Sequence, residues 1–159
     1  MMLYSTFALL LLASTTPSST PDGVFEAFAE VCLINLGDAQ KQVSFAKDKY
    51  HATPDPRDGD DSIVLRSETF AFDIIDDTSA TCAVTSSVDS SATLQSTATI
   101  VGEALGGAAP NEVIAPDTAY WLIAPEGIEG DFSISLLVSS ETGQNRATLM
   151  ISRLKGPIE

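Results

Sequence analysis

Apolar positions recur along this chain with two different periods, and the switch between them organises it. From Val24 to Leu36 nearly every residue is apolar, with Glu26 and Glu30 four apart on one side and Phe25, Phe28 and Cys32 at helical spacing. This predicts a first, largely buried helix with Cys32 turned to the core. Asp22 is placed to cap its start and Gly37 to end it. Ala39, Val43, Ala46 and Tyr50 then recur at four, three and four while Lys41, Lys47 and Lys49 take the other side. That is an amphipathic surface helix, capped by Asp38. Ala52 to Ser62 holds two prolines, a glycine and four aspartates and reads as a loop.

Beyond that loop the period drops to two. A strand is expected over Ile63 to Ser67, and a second where Phe70, Phe72 and Ile74 alternate with Ala71 and Asp73. After a turn at Asp76 to Ser79, a third strand puts Cys82, Val84 and Ser86 on one face and Thr81, Ala83 and Thr85 on the other. A third helix is expected from Ser90 to Leu105, packing through Leu94, Thr97, Ala98, Val101 and Leu105 and stopped by Gly106-Gly107. The last third is β-rich. It holds a continuous apolar strand at Ala119 to Pro125 and then Phe132 to Val138 paired as a hairpin with Arg146 to Leu154 across Ser140 to Asn145. No internal repeat or low-complexity linker is evident.

These elements predict an α+β fold: one antiparallel sheet of five to six strands with helices packed on one face, in the order αα-βββ-α-βββ. The opposite face would carry Thr81, Thr85, Ser133, Ser135, Thr148 and Ser152, open to solvent or to a flat ligand.

The N-terminus and the charge set the context. The first twenty residues contain no charged side chain. A short apolar run, Phe7 to Ala13, is followed by Ser14, Thr15 and Thr16. This is the layout of a secretory signal peptide, too short to span a bilayer. We therefore expect residues 1–20 to be a signal, residues 21–159 to form a single domain, and the product to be periplasmic or secreted. No stable membrane insertion is expected once the signal is removed. The chain carries a net charge of −14 with no basic cluster, which excludes nucleic acid and anionic membranes as partners and permits basic proteins or peptides.

In an oxidising compartment two cysteines most often form one bridge, so Cys32 and Cys82 are expected to be disulfide-bonded. The spacing is not C-x-x-C, and a zinc site lacks ligands because His51 is the single histidine.

Two short segments, Phe28-Ala29-Glu30-Val31-Cys32-Leu33 on a helix and Cys82-Ala83-Val84 on a strand, resemble small exported proteins of Gram-negative bacteria. The resemblance implies a periplasmic setting and transfers no activity. The element order and acidity are also similar to type III secretion chaperones. Those are cytoplasmic, so the N-terminal segment limits that likeness to fold analogy.

Catalytic patterns are sparse. No G-x-S-x-G exists for a serine relay, and His51 is placed at the end of the second helix, where a basic group complements the dipole. Gly106-Gly107 ends a helix rather than opening one, so it is no phosphate cradle. Tyr120-Trp121 in an apolar strand reads as core packing. Asp55, Asp58, Asp60 and Asp61 crowd one loop, which reads as a solvated acidic loop with no metal expected; they are the candidate ligands were calcium to bind, although their spacing departs from an EF-hand. No cofactor signature is present. The leading expectation is a non-enzymatic acidic exported domain that binds a protein or peptide partner or serves the cell envelope. The alternative is a small carboxylate-dependent hydrolase, with or without calcium.

Overall fold

The computed structural model describes residues 19–56, 62–114, 117–141 and 144–155. Helix α1, Pro21–Phe28, begins with Pro21 at its first position and runs directly into a π-helical turn, Ala29–Leu33. Its cap is Thr20, whose hydroxyl accepts from the Gly23 amide at 3.1 Å, and not Asp22. Proline is favoured at that first position because its missing N–H would have gone unpaired in any case. Gly37, at φ 80°, follows the π turn. Asp38 then caps α2, Ala39–Tyr50, by accepting from the Lys41 amide at 3.0 Å.

The sheet corrects the sequence expectation. Among the described residues it has eight strands, not five or six, and the order is αα-ββββ-α-ββββ. The strands are β1 Thr53–Pro54, β2 Ile63–Arg66, β3 Phe70–Ile74, β4 Cys82–Val88, β5 Glu112–Ile114, β6 Thr118–Ile123, β7 Phe132–Glu141 and β8 Gln144–Arg153. Helix α3, Leu94–Ala104, lies between β4 and β5. The unexpected strands, β1 and β5, are two and three residues long and lie at the two edges of the sheet. Neither shows an alternating burial pattern, because an edge strand with both faces wet need not alternate. Pro54 also argues against a strand from sequence, yet an edge is where proline is tolerated.

All pairings between these strands are antiparallel, in the order β1-β2-β3-β4-β8-β7-β6-β5. The molecule is thus two four-stranded meanders joined along β4 and β8. Cys82 stands opposite Ile151 at one end of that junction and Val88 opposite Asn145 at the other. Pairs Ser140–Asn145 and Glu141–Gln144 carry the β7–β8 hairpin almost to its tip, into residues expected to be loop. Helix α1 crosses the junction on β4 and β8, α2 lies on β2 and β3, and α3 on β6 and β7. The helices share one face, as expected. The core beneath them contains Phe28, Val31, Leu65, Phe72, Ile74, Val84, Trp121, Phe132, Ile134, Leu136, Leu149 and Ile151, all essentially inaccessible.

The first half is drawn together by two further devices. The Cys32–Cys82 disulfide is formed, with Cα atoms 5.5 Å apart, and ties the π turn to the end of β4. Glu30, on the same turn, accepts from the Tyr50 hydroxyl at 2.5 Å and pairs with Lys49, so that α1 and α2 are bonded to each other. The Tyr50 ring meets Phe70 edge-on at 5.4 Å and Phe72 at 5.5 Å. Lys49, and then Tyr50, hold the Glu30 carboxyl below its ordinary value of 4.5, while burial and Glu30 push the Tyr50 phenol up.

Replacing both cysteines by serine should lower the unfolding free energy by up to about 4 kcal/mol, the chain-entropy value for a loop of this length. Urea denaturation of the variant beside the oxidised protein measures the loss. Glu30→Gln should cost about 1 kcal/mol at neutral pH, allowing for partial solvent screening. A carboxyl held below its unfolded value stabilises above that value, and the contribution disappears as pH falls through the folded one. The melting-temperature gap between wild type and Glu30→Gln should therefore be open at pH 7 and close as pH falls below 4.5.

Candidate functional site

Helix α3 carries small residues where it faces the far edge of the sheet. Thr93 caps it, accepting from the Ser96 amide at 3.1 Å while Ser96 Oγ accepts from the Thr93 amide. The helix therefore begins four residues later than the hydrophobic pattern suggests, after a turn in which Asp89 accepts from the Ser91 amide. Its end follows the expected signal. Gly106 and Gly107 have φ of 79° and 84°, with Gly106 N bonded to Glu103 O and Gly107 N to Gly102 O at 2.8 Å. This is a Schellman ending, which requires left-handed backbone that glycine adopts freely.

That ending folds Ala108 back against α3. A Cβ on Gly102 would stand 2.6 Å from the Ala108 carbonyl oxygen, so only glycine permits the approach. The same carbonyl accepts from Trp121 Nε1 at 3.2 Å, which satisfies the one polar atom of a buried ring. Asn111 Oδ1 accepts from the Leu122 amide at 2.8 Å and holds the start of β5 to β6.

Because α3 lies over β6 and β7, β5 projects beyond it on the helix side. The result is an apolar groove of about 560 Å³ between α3 and β5–β6. Leu94, Ala98 and Gly102 form one wall, Val113 the other, and Ala119 lies in its floor. The polar rim is Gln95, Thr99 and Glu103; among the described residues no lysine or arginine lines it. Its size falls within the range of ligand-binding clefts.

The opposite, helix-free face of the sheet matches expectation. Thr81, Thr85, Ser133, Ser135, Thr148 and Ser152 all lie there, half-exposed. Thr85 and Thr148 hydroxyls bond across the β4–β8 junction at 2.9 Å, as do Thr81 and Ser152 at 2.8 Å. Leu122, Leu137 and Met150 are exposed among them.

The sequence-predicted candidates are dispersed. Asp55 is 4 % exposed and paired with Arg66 across β1 and β2, and its amide donates to Val64 O at 2.9 Å. It is thus a structural anion of the β1–β2 corner. Asp58, Asp60 and Asp61 lie outside the described residues. Among the described residues no three histidine, cysteine, aspartate or glutamate side chains gather as a metal site. Asp77 accepts from the Ser79 amide and hydroxyl, which lowers its pKa and fixes a turn. His51 is the exposed C-cap of α2, at φ 54°. Trp121 is core, as expected, and Tyr120 lies half-buried on the helix-free face. Cys32 and Cys82 are consumed by their bridge.

The groove itself was not foreseen. Its signal, an Ala98–Gly102 pair one helical turn apart followed by Gly107-Ala108-Ala109, is a deficit of side-chain volume rather than a pattern of reactive groups. Comparison with known proteins finds no matching family, no matching curated protein and no matching solved structure.

Gly102→Ala should force α3 from Ala108 and lower stability by about 1–3 kcal/mol, the usual cost of overpacking. Thermal denaturation gives the loss. A shift in the emission of Trp121, whose indole bonds the displaced carbonyl, locates it.

Proposed function

We propose that the chain is an exported, disulfide-stapled acidic domain that works by binding a protein partner, with the α3–β5 groove as its contact site. The groove carries this reading: it is apolar, open at the sheet edge and rimmed by polar groups. An exposed apolar concavity of that kind is what partner recognition uses. Among the described residues Asp55 is engaged with Arg66, and Glu30 with Lys49 and Tyr50, so neither supports the carboxylate-hydrolase reading. The signal-like N-terminal segment and the bridge both favour an oxidising compartment outside the cytoplasm. No helix among the described residues is long and apolar enough to cross a membrane.

Export predicts a particular mature end. Ser19 N donates to Ser87 O at 2.8 Å, and Thr20 caps α1. Cleavage should therefore leave both, which moves the expected mature start from residue 21 to Ser19 or earlier. Intact mass of the protein from a periplasmic extract checks this; a mass retaining Met1 overturns the export reading. For binding, wild type and Ala109→Trp, which places a large ring at the groove, are compared by affinity capture from an envelope fraction. The expected result is a protein enriched by wild type and lost with the variant. Identical captures by both overturn the groove as the contact site.

A further inference from the structure

The two edges of the sheet are protected unequally. Natural edge strands are blunted by proline, charge or shortness, because their unpaired N–H and C=O groups otherwise recruit another strand. Edge β1 is two residues long and contains Pro54. Edge β5 is also short and carries Glu112, but it contains no proline and ends in Val113 and Ile114, which are 58 % and 49 % exposed, and among the described residues no strand lies on its outer side. Strand alternation sends Val113 into the groove beside α3, while Glu112 and Ile114 point to the helix-free face. The exposed edge and the apolar groove are therefore one continuous surface. A strand laid along β5 would place every second side chain in the groove, next to Val113, Ala98 and Leu94.

Resting on the partner-binding reading above, we propose that β5 is a strand-addition site. Its occupant is an extended segment of a partner protein with small apolar residues on its inward side and basic residues on its outward side. Main-chain hydrogen bonds would supply affinity and the groove would select the alternate side chains. Charge fixes the basic character. Glu103 rims the groove, Glu112 lies on the strand itself, and among the described residues no lysine or arginine lines the site. The same charge disfavours a second copy of this chain, since two molecules of net charge −14 would repel across the contact.

The test uses synthetic peptides and the oxidised mature protein, read by the emission of its single tryptophan, Trp121, and by calorimetry. The probes are an acetylated octapeptide of alternating valine and lysine, the same peptide N-methylated at its valine amides, a third N-methylated at its lysine amides, and a valine–glutamate counterpart. The unmodified peptide should bind. One of the two methylated peptides should lose at least about tenfold in affinity, because only one set of amides faces β5. The glutamate peptide should fail, and Val113→Ser, which removes the apolar wall at an exposed position without changing charge, should weaken the lysine peptide comparably while leaving the far-UV circular dichroism unchanged. Equal binding by both methylated peptides would overturn strand addition while leaving a groove-binding partner in place. Equal binding by the glutamate peptide would overturn the basic partner. Failure of every peptide would overturn the inference, whereas the capture comparison tests partner binding independently. A concentration-dependent dimer in sedimentation, dissociated by the lysine peptide, would put a second copy on β5 and also overturn it.

Discussion

One strand pair makes this molecule a single sheet. β4 and β8 are the last strands of two meanders, and their seven-residue pairing joins the halves. Everything on the helix side is arranged about that seam. Helix α1 lies across it, with α2 over the first meander and α3 over the second. The disulfide fastens the π turn to β4 at one end of the seam, and Ser19 bonds to Ser87 near the other. The seam is also non-local: its partners lie roughly sixty residues apart, and such pairings must recover loop-closure entropy before they stabilise anything.

The placement of α3 follows from the same arrangement. The chain leaves the centre at the end of β4 and re-enters the sheet at its far edge, as β5. Helix α3 makes that crossing, and its Schellman ending and Gly102 bring Ala108 close against it. A helix over β6 and β7 cannot also cover β5. The groove is thus a by-product of sheet width, and small residues on the α3 wall and in the floor, Ala98, Gly102 and Ala119, keep it open.

The helices and long strands were legible because each is specified locally. Asp38 and Gly106-Gly107 acted as the sequence suggested, and alternation at Phe70–Phe72–Ile74 and at Ala147–Leu149–Ile151 named the buried face correctly. Thr20 falls inside the expected signal, so the pattern points to Asp22 as the α1 cap, although proline following threonine is itself a start signal. β1 and β5 were illegible for a different reason. Their strand character comes from neighbours, Leu65 and Arg66 for the one and Thr118 to Tyr120 for the other, and not from any pattern within themselves. The site shared that difficulty. Asp55 looked like one ligand among four, but its environment is set by Arg66, eleven residues away. The groove depends on which strand lies beyond α3, a matter of topology.

The bridge encloses residues 32–82, which include α2 and strands β1 to β3. Strands β5 to β8 and helix α3 lie wholly outside this covalent loop. The two halves therefore differ in how they can open. Fluctuations that separate β4 from β8 leave the first meander cross-linked to its own helix, while the second has only non-covalent packing to restore it. Amide protons should then exchange in two tiers, slowest around Cys82 and faster toward β5. The groove lies in the half outside the covalent loop, so an incoming strand would add its bonds to packing that no bridge reinforces.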